Sequence, residues 1–203
     1  KRLGYTFNDK LLLVQALTHG SYVYAEGPTY QRLEFLGDAI LEFMVTRQMY
    51  ENYPYLSPGD LTLLRQKLVC NLAFGTACIK GNLHKYLMHY SPAITHAVND
   101  YLREVERYRK VCELLRDLFR TSRDQTLTLP RSPRLTHPRL SPMVKPEQVL
   151  GDVFEAFIGA AFLVCSDSFH CQDCKRKLTV VWNIYRRLTQ GPSVVLELMN
   201  DPK

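Results

Sequence analysis

Two stretches of the chain are apolar on nearly every side of the helix that each predicts. The first covers residues 30–44 and the second residues 149–162. A helix that is hydrophobic all round belongs in the interior of a globular protein. We therefore predict that both helices are buried and that they pack side by side in one core.

Weaker periodic patterns predict further helices. Asn8 or Asp9 is placed to cap a first helix, and Ser57 or Asp60 is placed to cap a helix over residues 61–78. The helix of the first apolar stretch, which begins near Tyr30, should continue to about residue 50. Other helices are predicted over residues 83–88, 92–120, 177–188 and 192–199. Strand patterns are absent, so the predicted fold class is all-α, a helical bundle with two buried acid-bearing helices.

Residues 121–147 interrupt the helical pattern, with five prolines among several basic side chains. Proline removes a backbone donor and fixes φ, so no continuous helix can form there. We interpret this segment as a Pro/Arg-rich insertion loop within a single domain covering residues 1–203. Its basic residues either contact the phosphates of a polyanionic partner or belong to a solvated insertion.

Composition and charge narrow the class of protein. The chain has 203 residues, a formal charge of +6 and six cysteines. The positive charge favours a polyanionic partner, and no apolar run is long enough to span a bilayer, so we predict no membrane partner. Scattered cysteines are typical of a reducing compartment, which predicts an intracellular protein in the cytoplasm or nucleus. Cys171 and Cys174, with Cys165 nearby, form either a zinc half-site or ordinary reduced thiols in a loop.

The two buried helices carry the candidate chemistry. Glu34 and Asp38 are four residues apart on the first, while Asp152 and Glu155 are three apart on the second. Each pair projects from one face of its helix. If the helices pack together, four carboxylates converge and repel one another unless some are protonated or a divalent cation is bound. An all-oxygen site suits Mg²⁺ or Mn²⁺.

Ion pairing is the alternative explanation for these buried acids. The candidate basic partners are Arg32, Arg47, Arg65 and Lys67. Spacing alone leaves the cation site and the ion-pair network evenly matched. Gly37 and Gly151, each directly before an acid, either permit close approach of two helices or simply fill the core.

Four motifs resemble the ribonuclease III family. Residues 31–39 (QRLEFLGDA) are similar to its signature, and residues 151–160 (GDVFEAFIGA) to its second acidic motif. Residues 16–22 (ALTHGSY) and 61–71 (LTLLRQKLVCN) resemble an early motif and the third helix of the family, in the same order. Tyr30 before the signature and the sequence Ser-Pro-Gly at 57–59 are most similar to the second, C-terminal, ribonuclease III domain of Dicer enzymes.

The resemblance implies an activity and a site. Glu34, Asp38, Asp152 and Glu155 would be both the catalytic and the metal-holding residues, with Mg²⁺ as cofactor and Mn²⁺ able to replace it. The implied reaction is endonucleolytic cleavage of double-stranded RNA by phosphodiester hydrolysis, as in small-RNA processing. The products would have staggered ends with a 5′-phosphate and a 3′-hydroxyl.

The resemblance also implies partners. Each domain of the family cuts one strand, so this chain would pair as a homodimer or with a sibling ribonuclease III domain in a longer chain, with Phe35 in the dimer interface. A separate double-stranded RNA-binding protein is a further expected partner. The candidate RNA contacts of the loop are Arg131, Arg134, Arg139 and Lys145. The competing hypothesis is a non-catalytic ribonuclease III-like scaffold for dimerisation or RNA binding, which would be expected to have lost at least one of the four acids.

Two positions depart from the family pattern. Gln31 occupies a position where many members have an acid, although Dicer second domains also have Gln. Gln148 stands four residues before Asp152, where relatives usually carry a Lys near the scissile phosphate. Lys145 is the nearby candidate to replace that Lys, and reduced activity is the expected consequence if it does not.

Overall fold

The computed structural model describes residues 5–24, 27–121, 144–164 and 171–189, without the side chains of residues 108–109, 111–121 and 171–174. Over these residues the protein is helical, with a single isolated β-bridge between Thr18 and Met88 and no longer strand pairing. This confirms the predicted all-α class. The helices are α1 (Lys10–Ala16), α2 (Gln31–Asn52), α3 (Pro58–Leu68), α4 (Asn71–Lys80), a short 3-10 helix (Leu83–Tyr86), α5 (Pro92–Thr121), α6 (Pro146–Val164) and α7 (Cys171–Thr189).

The contacts within the chain divide it into two compact units. The first comprises residues 1–91 and 147–203, and the second comprises residues 92–146. The described part of the second unit is mainly α5, whose surface carries ion pairs between neighbouring turns such as Arg103–Asp100 at 2.9 Å and Arg107–Glu104 at 3.1 Å. The single-domain organisation stays a prediction.

Local capping explains where the early helices begin. A carboxylate oxygen of Asp9 accepts from the amide of Leu11 at 2.7 Å, which selects Asp9 as the cap of α1. At α3, the hydroxyl oxygen of Ser57 accepts from the amide of Asp60 at 3.2 Å, and Pro58 occupies the first helical position. Each cap is one of the two residues that the sequence offered.

Two predicted boundaries are wrong. The helix predicted over residues 61–78 is two helices, α3 and α4, separated at Val69 and Cys70. The hydroxyl of Tyr185 on α7 donates to the carbonyl of Leu68 at 3.4 Å, a tertiary contact at the end of α3 that a local pattern does not reveal. The loop predicted around the cysteines is shorter than expected, because α7 already begins at Cys171. The helix predicted over residues 192–199 lies outside the described residues.

The core of the first unit contains both acid-bearing helices. Nearly every residue of α6 from Leu150 to Ala161 is buried, and α2 buries a stripe that includes Leu33, Leu41 and Val45. Gly37 of α2 lies directly against the backbone of Glu155 on α6. The predicted side-by-side packing of these helices is therefore confirmed. None of the helices in the described ranges combines the length and hydropathy needed to cross a membrane.

Candidate metal centre

Three acidic side chains converge where α2 passes α6. Glu34, Asp152 and Glu155 each place a carboxylate oxygen within 4.8 Å of the others. Glu34 lies in the first turn of α2, and the other two lie one turn apart on α6. Glu155 is only 7% exposed, while the other two are half-buried. The predicted convergence of the two helices' carboxylates is confirmed for these three residues.

The fourth predicted acid, Asp38, lies one turn beyond Glu34 and is more exposed. It is not part of the group of three within 4.8 Å. Its charge nevertheless raises the pKa of both Glu155 and Glu34. Asp38 therefore belongs to the same electrostatic environment, at the solvent side of the cluster.

The cluster carries excess negative charge. Burial, followed by the charges of Asp38, Asp152 and Glu34, raises the pKa of Glu155 from 4.5 to about 8. Burial is also the largest cause of the raised pKa values of Glu34 and Asp152. None of the causes of these raised pKa values is a nearby cation, so among the described residues no positive charge offsets the negative charge of the cluster.

Ion pairing does not explain the buried acids. Arg47 pairs with Glu51 at 2.7 Å, and Arg65 approaches Glu42 at 4.0 Å. Within the part of the chain that the structure describes, no Lys or Arg lies within ion-pair distance of any of the four predicted site acids. Glu42, four residues beyond Asp38 on α2, is thus an ion-paired neighbour of the site. Over the described residues, the ion-pair hypothesis for the four predicted site acids is wrong.

The donor set therefore fits a hard divalent cation. Carboxylate oxygens are the ligands preferred by Mg²⁺, Mn²⁺ and Ca²⁺. Three carboxylates from two helices, with a fourth at the solvent side, offer the charge that such an ion would neutralise.

Tyr30 is a site residue that the sequence did not single out for a role. Its side chain is buried, with the residue 4% exposed, and its hydroxyl lies 3.4 Å from Oδ2 of Asp152, to which it donates. Burial and the neighbouring carboxylates, Asp152 first among them, raise the pKa of Tyr30. The sequence showed only that an aromatic residue stands directly before the signature. Its contact with Asp152 could not be predicted from spacing, because the two residues are far apart in the chain.

Phe35 projects away from the acid cluster into solvent. The residue is 81% exposed, although Leu33, two positions earlier on the same helix, is buried. It lies at a groove of about 660 Å³ whose apolar lining includes Leu12, Leu36 and Leu163. An exposed aromatic ring that continues into an apolar groove forms a contiguous apolar patch, and such a patch is typical of an interaction surface.

The remaining predicted residues have mixed outcomes. Gln148 and Lys145 are exposed, Gln148 one turn before Asp152 on α6 and Lys145 just before that helix begins. The candidate RNA contacts Arg131, Arg134 and Arg139, and Cys165 of the candidate zinc half-site, lie outside the described residues. Cys171 and Cys174 lie in the first turn of α7, the part of that helix whose side chains are not described. Their zinc site stays a hypothesis.

Comparison with known proteins identifies the family of this fold. Residues 31–166 match the family described as Ribonuclease III domain. The chain is 33% identical to "Endoribonuclease Dicer" of Xenopus tropicalis over 94% of this chain and 9% of that protein. It is 38% identical to "Endoribonuclease Dicer homolog 2" of Arabidopsis thaliana over 79% of this chain and 10% of that protein.

A solved structure supports the same fold. The nuclease domain of ribonuclease III from Campylobacter jejuni superimposes with a TM-score of 0.57 at 23% identity, covering 93% of this chain and 94% of that one. The chain spans about a tenth of the length of the curated Dicer proteins that it matches. With its four motifs, its helical fold and its paired acid-bearing helices in place, the chain belongs to the ribonuclease III domain family.

Proposed function

We propose that this chain is a metal-dependent endoribonuclease domain that cleaves double-stranded RNA. The observation that carries the proposal is the convergence of Glu34, Asp152 and Glu155 within 4.8 Å without a basic partner among the described residues. Membership of the ribonuclease III domain family supports the reaction class, and the Dicer relatives are named as endoribonucleases.

The proposed cofactor is Mg²⁺, with Mn²⁺ able to replace it. Glu34, Asp152 and Glu155 would hold it, with Asp38 beside them at the solvent side. When bound, such an ion acts as a Lewis acid on phosphoryl oxygens and lowers the pKa of coordinated water. The protein contributes rigidity, because α2 and α6 are packed backbone to backbone and fix the separation of their carboxylates.

The proposed products have staggered ends with a 5′-phosphate and a 3′-hydroxyl. This outcome requires two domains, each cutting one strand, and the exposed Phe35 beside an apolar groove supports a pairing surface on this chain. The partner is a second copy in isolation or a sibling ribonuclease III domain in a longer chain. A double-stranded RNA-binding protein is the further proposed partner, because an RNA duplex is held largely through its shape and backbone.

Cleavage of a long RNA duplex in Mg²⁺ tests the proposal. Asp38→Asn and Asp152→Asn should each lower the single-turnover rate by on the order of 100-fold or more, because they remove charge needed in the transition state. Glu51→Gln is the matched control: Glu51 is an acid of the same helix α2, already paired with Arg47 on the surface. Undiminished cutting by both Asn variants would favour the non-catalytic scaffold instead.

A further inference from the structure

Tyr30 links the two helices that carry the acid cluster, α2 with Glu34 and α6 with Asp152 and Glu155. Its hydroxyl lies 3.4 Å from Oδ2 of Asp152, a residue 122 positions away in sequence. A buried tyrosine hydroxyl requires a hydrogen-bond partner, and Asp152 supplies it here. The contact joins the start of α2 to the middle of α6.

The backbone of Tyr30 is fixed on both sides. Its amide donates to the carbonyl of Thr18 at 2.9 Å, and its own carbonyl accepts from the amides of Leu33 and Glu34, each at 2.9 Å. The ring of His19 packs edge-on against the Tyr30 ring, with centroids 5.6 Å apart. Tyr30 therefore has little freedom to move, and a phenol held in this way can restrict the carboxylate to which it donates.

We propose that Tyr30 is a positioning residue that orients the Asp152 carboxylate for a divalent cation. The inference rests on the proposed function, since it assigns Asp152 to the cation site. Carboxylates that bind metals are commonly held by hydrogen bonds from surrounding residues, and loss of such a bond weakens metal affinity by roughly 10- to 100-fold. Tyr30 provides this bond from the same residue whose carbonyl accepts from the amide of Glu34, so both ligand-bearing segments share one anchor.

Direct titration with Mn²⁺, followed by electron paramagnetic resonance of the free ion, tests the proposal. Tyr30→Phe keeps the ring and removes the donor, so the Mn²⁺ dissociation constant should rise by about 10-fold or more. The Mg²⁺ concentration giving half-maximal RNA cleavage should rise by a similar factor, while the rate at saturating Mg²⁺ recovers.

Tyr185→Phe is the matched control. Tyr185 is also buried, at 3% exposure, and its hydroxyl also donates over 3.4 Å, but to the backbone carbonyl of Leu68. Removal of this hydroxyl should lower the melting temperature about as much as Tyr30→Phe does, without changing Mn²⁺ affinity. If wild type and Tyr30→Phe bind Mn²⁺ with the same dissociation constant, the inference is overturned.

Asp152→Asn separates this inference from the proposed function. Loss of Mn²⁺ binding in Asp152→Asn, with Tyr30→Phe unchanged, would leave the cation site standing and reject the role of Tyr30. Absence of acid-dependent Mn²⁺ binding in the wild type would reject both. In an Asp152→Ala background, which leaves no acceptor for the Tyr30 hydroxyl at position 152, Tyr30→Phe should cause no further loss of the remaining Mn²⁺ affinity. An equal loss in both backgrounds would overturn the positioning role.

Discussion

The backbone of Gly37 is packed directly against the carbonyl oxygen of Glu155. A β-carbon built at position 37 would overlap that oxygen and would come 3.0 Å from the amide nitrogen of Gly159. The contact is reciprocal, because a β-carbon at Gly159 would overlap the carbonyl oxygen of Leu33. Paired glycines thus set the distance between α2 and α6, and with it the distance between the carboxylates that those helices carry.

Gly37→Ala should destabilise the protein and lower its cleavage rate. The added methyl group meets backbone, which cannot rotate away, so the helices must separate; we expect a loss of about 2 kcal/mol or more in the free energy of unfolding. Urea unfolding measures the loss. Gly59→Ala on α3 is the control, since its nearest neighbour, the Ser57 hydroxyl oxygen, is 3.7 Å away. Equal stability of Gly37→Ala and wild type would contradict the close packing.

The metal-free protein should lose stability as the pH rises. The pKa of Glu155 is raised from 4.5 to about 8, so the folded state binds a proton that the unfolded state releases. This stabilisation is complete below about pH 4.5 and is lost as the pH rises toward about 8. With EDTA present, the melting temperature of Glu155→Gln should exceed that of wild type by an increasing margin between these limits.

Added Mg²⁺ provides the control for that pH dependence. A cation bound to the ionised carboxylates should stabilise the wild type most near the upper end of this range, where they are charged. The same addition should have little effect on Glu155→Gln. A margin between the two proteins that stays constant with pH would show that Glu155 titrates normally.

Phe35→Ala should weaken self-association. Phe35 is 81% exposed beside an apolar groove, so a central aromatic anchor at that position would contribute about 2 kcal/mol or more, roughly a 30-fold change in dissociation constant. Sedimentation velocity measures the shift toward monomer. Phe43→Ala, which removes a 56% exposed ring from the same helix, is the control and should leave association unchanged. Equal effects of the two substitutions would reject Phe35 as the anchor.

Gln148→Lys should increase the rate of RNA cleavage. Gln148 is exposed on α6 one turn before Asp152, so a Lys there would add a positive charge beside the acid cluster, where charge develops on the phosphate. We expect about a 10-fold higher single-turnover rate, with Gln148→Met as the uncharged control of similar length. An unchanged rate would indicate that Lys145, or another basic group, already supplies this charge.

Replacement of Arg131, Arg134 and Arg139 by Ala should reduce the salt dependence of RNA binding. The affinity falls as salt rises, and each phosphate contact that is lost should make the plot of log affinity against log salt less steep by about 0.7 to 0.9. Filter binding across a range of salt concentrations measures the slope. The control is the triple replacement by Lys, which keeps the charge; an unchanged slope in the Ala variant would favour the solvated insertion.

Local sequence was sufficient for much of the fold. Asp9 and Ser57 begin helices because their side chains accept from nearby amides, and the long apolar runs of α2 and α6 could be buried only in a core. The division between α3 and α4 was not predictable in this way. Its end at Leu68 involves a hydrogen bond from Tyr185, 117 positions away.

By itself the sequence determined the all-α class, the family and the acids that could form a site, because helical periodicity and motif order are properties of neighbouring residues. Only the tertiary structure could exclude ion pairs to the four acids among the described residues, since that depends on which side chains meet in the folded chain. It brought Glu34 to Asp152 and Glu155, left Arg47 and Arg65 with other acids, and placed Tyr30 on Asp152. The contacts of Glu34 and Tyr30 with α6 depend on the separation of two helices far apart in sequence, which Gly37 and Gly159 set by close packing.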